Sequence, residues 1–448
     1  MKIIIVGAGI VGSNLAEELS CEGHEIAIID KNSEKIKKLS ETLDVLAITG
    51  DAASPSVLRS ADVASTEMLI SVTDRDEVNI VVCMLAHKLG IKKRIARIRN
   101  EEYTNSKAVL DLHDLYITRA INPDQIIVDS ITKIIETPGA TYVEEFVEGE
   151  ILLRGFDVPK DAPIAGKTLS ELKDVMGVDA ALIAGIYRGD QLIIPRGTDE
   201  IRVGDHIFVL VAKDTLPFFL PLVNKKVWGV RRVIIYGAGP QGVTLARKLE
   251  EKIDKVVVLE ESEELAEEAA GKLNKAIVLK GKGTDVDLLN QADIREADYF
   301  IALSDDDENN LTSGLVARKC GAKRIVVLTH DPDYVPILDS IGMDVVINPR
   351  LITAGAILEY IRHGRVRKLV KLKEAAAEVM ELVALTGSKV VGRPLKDVKM
   401  PSGALVGIVM KDTTPVIATG NTIIKPGERV IIFVLPEARK KIEALFER

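Results

Sequence analysis

The sequence predicts an α/β protein: two tandem Rossmann-like domains with parallel sheets, each followed by a small α+β subdomain. Three observations carry this. Two glycine fingerprints stand at matching points of the chain, Gly7-Ala8-Gly9-Ile10-Val11-Gly12 and Gly237-Ala238-Gly239-Pro240-Gln241-Gly242. Each follows an apolar run, Lys2-Ile3-Ile4-Ile5-Val6 and Arg232-Val233-Ile234-Ile235-Tyr236, and each precedes a helical pattern. Each is followed at the same distance by a strand ending in a carboxylate, Ile26-Ala27-Ile28-Ile29-Asp30 and Val256-Val257-Val258-Leu259-Glu260. One such motif is weak, because glycines cluster in any turn. The same motif twice in the same context is a dinucleotide-binding signature used twice.

Composition agrees. The 448 residues exceed what one compact domain holds. Hydrophobic residues make up 47% and aromatics only 4%, so the core is built of Ile, Val, Leu and Ala, as in buried parallel sheets flanked by helices. A net charge of −8 with dispersed basic residues argues against a nucleic-acid partner. Cys21, Cys83 and Cys320 lie far apart without metal-ligand spacing and read as buried thiols of a reducing compartment. No apolar run approaches the roughly 20 residues that span a bilayer. The amino terminus enters a strand without a basic leader or cleavage site. The expectation is a cytoplasmic protein that meets any membrane partner as a separate subunit.

In the first domain, residues 1–123, strands are predicted at 2–6, 25–29, 45–49, 67–72, 94–98 and 115–117. Helices are predicted at 10–22, 32–43, 54–60, 76–89, 101–111 and 123–136. Strands separated by helical patterns mean a parallel sheet. Residues 230–349 repeat the plan. Ala61-Asp62 matches Ala292-Asp293, Thr73-Asp74 matches Ser304-Asp305, and Asn79 matches Asn310. Ala120-Ile121-Asn122-Pro123 matches Val346-Ile347-Asn348-Pro349.

The smaller subdomains, residues 140–224 and 368–448, have a different rhythm. In the first, Ile164 to Leu169 opens a short helix, and strands follow at Ala181–Arg188, Gln191–Pro195 and Val203–Leu210. In the second, Val390 to Leu395 takes the first role, and Val406–Val409, Val416–Ala418 and Val430–Phe433 the others. Gly204-Asp205 and Gly427-Glu428 supply turn chemistry before each last strand. Linkers are expected near Thr137-Pro138-Gly139 and Asn224-Lys225-Lys226, with a charged helical connection over 350–374.

The fingerprint spacing has a chemical reason. Its first glycine permits the tight turn, its second lets backbone approach a pyrophosphate, and its third lets the helix pack close to the strand. Amides at the start of the helix then face the phosphates, where the helix dipole contributes about 0.3–1 kcal/mol. Asp30 is placed to accept hydrogen bonds from ribose hydroxyls, and its charge disfavours a 2′-phosphate, so NAD is preferred to NADP.

With these residues in view, the chain resembles the family of NAD-binding regulatory subunits of Trk-type potassium uptake systems, built from two tandem RCK units (regulators of potassium conductance). The resemblance spans essentially the whole chain. It rests on Lys2 to Gly9, on Val72-Thr73-Asp74 with Glu77 and Asn79, and on Arg94 to Arg99. Asp305-Asp306-Asp307-Glu308 after Ser304, and Gly392-Arg393, complete it. It implies a regulator of K⁺ flux in which NAD or NADH, or ATP or ADP at the same site, shifts an assembled ring between states. It also implies a homotetramer docked on a potassium-transporting membrane subunit. Carried over by position, the first site comprises Gly7, Ala8, Gly9, Ile10, Val11 and Gly12 at the phosphates and Asp30 at the ribose. Thr73 and Asp74 lie at the next strand end, and Arg97 comes from the strand beyond. An interface salt bridge is the alternative for Arg97.

The second set is Gly237, Gly239, Gly242 and Glu260. It departs from the first: Pro240 replaces Ile10, Lys282 replaces Asp51, and Val327 aligns with Arg97. A weaker nucleotide site, a site for another ligand and a purely structural turn remain open for it. The acids at 305–308 fit the first turn of a helix better than a cation site. Gly166-Lys167-Thr168 lacks the earlier glycine of a phosphate loop, because Asp161 stands there. None of His24, His87, His113, His206, His330 and His363 forms an i, i+4 ligand pair. The competing function is an NAD-dependent oxidoreductase, which would need an acid or base beside the nicotinamide. The small subdomains offer none in a convincing context, so no enzymatic activity is expected. The segments near 123–136 and 350–363 carry apolar faces that need a partner, and these are the expected physical reason for assembly.

Overall fold

The computed structural model describes residues 1–104, 109–176, 181–189, 191–223, 229–361, 366–372 and 377–447. The first unit runs β1 (Lys2–Val6), α1 (Ile10–Cys21), β2 (Glu25–Asp30), α2 (Ser33–Thr42), β3 (Leu46–Thr49) and α3 (Pro55–Arg59). It continues through β4 (Met68–Ser71), α4 (Asp76–Lys88), β5 (Lys93–Arg97), β6 (Arg119–Ile121) and α5 (Pro123–Glu136). Its strands pair in parallel in the order β3-β2-β1-β4-β5-β6. Ile3, Ile4 and Ile5 are fully buried, since helices cover both faces of the sheet. The order reverses beside β1, which opens a crevice beyond the carboxyl ends of β1 and β4.

The first small subdomain contains β7 (Ala140–Phe146), β8 (Ile151–Asp157), α6 (Leu169–Met176), β9 (Ala181–Arg188), β10 (Gln191–Ile193), β11 (His206–Ala212) and α7 (Leu216–Val223). Its antiparallel sheet runs β10-β9-β11-β8-β7.

The second unit repeats the first with β12 (Arg232–Tyr236), α8 (Pro240–Leu249), β13 (Lys255–Glu260), α9 (Glu263–Lys272), β14 (Ile277–Lys280) and α10 (Val286–Gln291). It continues with β15 (Tyr299–Ala302), α11 (Asp307–Cys320), β16 (Arg324–Leu328), α12 (Val335–Ser340), β17 (Val345–Ile347) and α13 (Pro349–Ile361). The strand order β14-β13-β12-β15-β16-β17 is that of the first sheet. The second small subdomain has β18 (Val366–Leu372), β19 (Ala377–Val383), β20 (Ala404–Lys411), β21 (Thr414–Ile417), β22 (Arg429–Val434) and α14 (Pro436–Phe446), with antiparallel order β18-β19-β22-β20-β21.

The halves exchange their last helices. Ile127, Val128, Ile131, Ile134 and Ile135 of α5 join one core with Val233, Ile235 and Leu245 of the second unit. Ala354, Ile357, Leu358 and Ile361 of α13 join Ile3, Ile5, Leu15 and Leu19 of the first. Polar links follow the same seam: Gln241 Nε2 donates to Asp124 at 2.8 Å, Lys248 pairs with Asp129 at 2.8 Å, and Lys252 with Glu136 at 2.8 Å. This corrects the physical argument for assembly. The apolar faces of α5 and α13 are covered within the chain, because each half supplies the other's partner. The small sheets also meet face to face. A side chain at Gly185 would stand 2.7 Å from the Phe433 ring, and one at Gly407 2.7 Å from Leu210.

Other expectations need correction. The sixth strand is Arg119–Ile121, paired with β5, rather than 115–117. Leu115 and Ile117 are buried as loop residues, with Tyr116 between them at φ +56°. The helix expected over 101–111 is only a 3₁₀ turn at Glu101–Tyr103 among the described residues. Among the described residues the charged connection is helical over Pro349–Ile361, and Val366–Leu372 is an edge strand. Cys83 is buried, Cys320 half-buried and Cys21 exposed, so the thiols do not share one environment. The linker at Asn224–Lys226 and His363 lie outside the described residues. No helix among the described residues is long and apolar enough to cross a membrane.

Candidate functional site

The first fingerprint folds as its spacing requires. Gly7 takes φ +104°, and a side chain there would stand 3.2 Å from the Val72 and Thr73 backbone. A Cβ on Gly12 would fall 1.8 Å from the Gly7 carbonyl oxygen, so α1 can lie this close only with glycine. A Cβ on Gly9 would meet nothing within 4 Å, which leaves open space above the turn. Helix α1 starts there with no side-chain cap and no acid in its first turn. Helix α2, by contrast, is capped by the Asn32 side chain. The first amides of α1 are therefore free for an anion.

Asp30 is held by two backbone donors, Ala8 N–H on Oδ2 at 2.6 Å and Asn32 N–H on Oδ1 at 2.8 Å. Each oxygen keeps a further lone pair for a ligand hydroxyl. Asn79, fully buried, fixes the next strand ends. Its Oδ1 accepts from Thr73 N at 3.0 Å, Thr73 Oγ1 at 2.8 Å and Ser71 Oγ at 2.8 Å, and its Nδ2 donates to the Arg97 carbonyl at 2.9 Å. Arg97 Nη1 reaches the Thr73 carbonyl at 3.3 Å. Burial, and then the charge of Arg99, push the Arg97 pKa below its ordinary value, against the pull of Asp124, Asp76 and Asp74.

Gly7, Ala8, Gly9, Ile10, Val11, Asp30, Thr73, Asp74 and Arg97 all line one open cleft of about 1870 Å³. Gly12 lies behind it. The cleft has walls that sequence inspection missed: Arg99 from the first half, and Asp305, His330 and Arg350 from the second. Arg350 comes on the exchanged helix α13, and Asp305 and His330 from the strand ends of the second unit. A cleft with free helix amides, a fixed carboxylate and guanidinium groups can hold an adenosine diphosphate moiety by hydrogen bonds and charge.

The second half keeps the frame. Gly237 has φ +108°, and a Cβ on Gly242 would fall 1.9 Å from the Gly237 carbonyl oxygen. A Cβ on Gly239 would meet nothing within 4 Å. Glu260 accepts from Ala238 N at 2.6 Å and Ser262 N at 2.9 Å, as Asp30 does from its own turn. Asn310 bonds Ser304 N at 2.9 Å and the Leu328 carbonyl at 3.1 Å. That last bond corrects the register: Leu328, buried, stands where Arg97 does, and Val327 matches Ala96. The second half still lacks the cation. Where the first has Val6 and Ala52, the second has Tyr236 and Gly283, and a Cβ on Gly283 would stand 2.7 Å from the Tyr236 ring. The Tyr236 hydroxyl donates to Glu261 at 2.6 Å, and burial together with that carboxylate raises its pKa.

In the acid run, Asp306 caps α11 through Asn309 N at 2.8 Å. Burial alone would raise the Asp307 pKa. The amide and ring of His330 and the Thr329 hydroxyl outweigh that and hold it below the usual carboxylate range. Elsewhere, Asp111, His113 and Asp114 approach within 4.8 Å on the surface, a grouping the i, i+4 search could not find. Asp111 and Asp114 there accept each other's backbone amides at 2.8 and 3.1 Å.

The chain matches the TrkA-N domain family over residues 3–123 and 233–349, and the TrkA-C domain family over 153–222 and 379–447. It is 34% identical over 452 residues to the Trk system potassium uptake protein TrkA of Halomonas elongata, covering 100% of this chain and 99% of that one. It is 34% identical to the Trk system potassium uptake protein TrkA homolog 1 of Methanosarcina mazei, covering 100% of both. Among solved structures it resembles the GsuK RCK domain, with TM-score 0.60 and 18% identity over 99% of this chain and 94% of that one. It also resembles the GsuK channel bound to NAD, with TM-score 0.61 and 18% identity over 99% and 78%. At that identity these two show the fold alone. With both domain families present twice and relatives aligned end to end, the chain belongs to the TrkA family.

Proposed function

We propose that the protein is a nucleotide-binding regulatory subunit of Trk-type potassium uptake, without chemistry of its own. Its ligand-dependent conformational change gates a potassium-transporting membrane subunit. The observation that carries this is the first cleft, where Gly7–Val11, Asp30, Thr73, Asp74 and Arg97 converge at a strand-order reversal. NAD or NADH, and ATP or ADP in competition with them, share the adenosine diphosphate moiety that such a cleft fits. Nucleotide binding resides mainly in residues 1–123. Residues 230–349 form the second Rossmann domain, and 140–224 and 368–448 the two RCK subdomains. The relatives' names favour a partner in potassium uptake, and the resemblance to tandem RCK units implies a symmetric assembly on the inner face of the membrane, a homotetramer whose eight Rossmann units form a ring. A ligand acts there by differential affinity for two ring states, typically ~1–3 kcal/mol of coupling.

The small subdomains favour regulation over dehydrogenation. Among the described residues they turn apolar sheet faces toward each other and contribute no side chain to the cleft, whose titratable groups come from the Rossmann units alone. Purified protein in NADH should gain about 2.7 kcal/mol in the domain that binds it, at about 100 times the dissociation constant, with NADH absorbance constant. Light scattering should report a tetramer. Steady NADH oxidation with a simple carbonyl substrate, or a monomer unchanged by nucleotide, would contradict the proposal.

A further inference from the structure

The exchange of α5 and α13 places one residue of each half at the other half's glycine turn, and the two residues carry opposite charge. At the first turn the visitor is Arg350. Its helix packs along α1, and Pro349, Arg350 and Leu351 line the same cleft as Gly9 and Ile10. At the second turn the visitor is Asp124, whose carboxylate accepts from Gln241 Nε2 at 2.8 Å and meets Arg99 at 3.4 Å.

The electrostatics of the two positions differ. Both follow an asparagine cap and a proline at the start of a helix. Asn122 accepts from Asp124 N and Gln125 N, and Asn348 from Arg350 N and Leu351 N. The positive end of a helix dipole favours the carboxylate of Asp124 and opposes the guanidinium of Arg350. Helix α13 has no acid in its first turn to offset that. Arg350 forms no ion pair among the described residues, although Glu17, Asp305 and Asp333 share the cleft. An unpaired guanidinium, the uncapped amino end of α1 and the amino end of α13, capped by Asn348 but without an acid, thus surround one open space.

We propose that Arg350 is a ligand-binding residue of the first cleft, pairing with the diphosphate of an adenine nucleotide seated on the first turn of α1. This rests on the reading of that cleft as a nucleotide site. Neither helix has an acid in its first turn, so the anion supplies the negative charge there, and because α13 follows the second Rossmann unit in the chain, a bound diphosphate bridges the two halves. At the second cleft the carboxylate of Asp124 stands in the corresponding place and repels a diphosphate.

The test is calorimetric titration of the full chain with ADP and with NADH, for the wild type, R350A, R350K, R350E and D30A. Loss of a charge-assisted pair predicts about 10- to 100-fold weaker binding in R350A. A larger loss is expected in R350E and substantial rescue in R350K, with ligand-free melting temperatures unchanged across the Arg350 series. R350A and R350E that bind both ligands as tightly as the wild type, while D30A does not, would overturn this assignment and leave the nucleotide site standing. A wild type that binds neither ligand would overturn the site and the assignment together.

Discussion

The two Rossmann units are alike in backbone and unlike in the side chains that face a ligand. Gly7 and Gly237, Gly12 and Gly242, Asp30 and Glu260, Asn79 and Asn310 occupy the same places and make the same backbone bonds. Arg97 is matched by Leu328, Val6 by Tyr236, and the visiting Arg350 by Asp124. The shared features hold a strand–turn–helix together whether or not anything binds. Even the carboxylate is partly a structural fastener, since both of its oxygens are engaged by backbone amides. The glycine fingerprint and its acid therefore mark the fold, and on the proposed reading the cations around the first cleft are what the second lacks for holding a nucleotide.

The largest effect expected from this comparison comes from the third glycine of each turn. Gly12→Ala and Gly242→Ala each force a Cβ against a backbone oxygen. Each should lower the stability of its own unit by about 3 kcal/mol, at the upper end for overpacking. Thermal unfolding should show both losses, while nucleotide binding should disappear only with Gly12→Ala. Binding that survives Gly12→Ala and vanishes with Gly242→Ala would reverse the roles of the units.

A smaller, pH-dependent effect should separate the units by stability. Asp298, buried, accepts from Arg231 N at 2.7 Å, Arg232 N at 3.0 Å and Lys323 Nζ at 2.7 Å. Burial would raise its pKa, but these donors, Lys323 first, hold it below the ordinary 3.8. The corresponding Glu67 is exposed. A depressed carboxylate pKa stabilises the fold fully above the unfolded value, and that stability is lost as pH falls through the folded value. Asp298→Asn should thus cost about 1–3 kcal/mol at pH 7 and progressively less below pH 4 in urea melts of the full chain. An equal cost at both pH values would remove the charge from the explanation.

The smallest effect tests the seam. Asp129 and Lys248 are both partly exposed, so Asp129→Ala should cost only about 0.2–1 kcal/mol and less in high salt. A much larger loss would mean that charge rather than the isoleucines of α5 holds the exchanged helix.

How much of this could be read in the sequence followed from local chemistry. The β-branched runs before Gly7 and Gly237 identified the strands because parallel strands covered on both faces are apolar throughout. That same uniformity hid the register of Ile325–Leu328, where only the Asn310 bond tells Leu328 from Val327. The amphipathic faces of α5 and α13 were legible. What covers them was not, since an apolar stripe specifies a partner's character but not its position in the chain. Arg350 was invisible for that reason: it lines a cleft whose glycine turn and Asp30 stand more than three hundred positions earlier. The charged stretch at Val366–Leu372 read as part of a helical connection and is instead an edge strand, with Lys368 largely buried between Glu144 and Glu359.

The central claim is that one unit of the two holds the nucleotide. Isothermal titration of the full chain with NADH, repeated on Asp30→Ala and Glu260→Ala, tests it most directly. The account predicts one tight site per chain, weakened about 10- to 100-fold by Asp30→Ala and left in place by Glu260→Ala. Two equal tight sites, or loss of the tight site with Glu260→Ala alone, would contradict it.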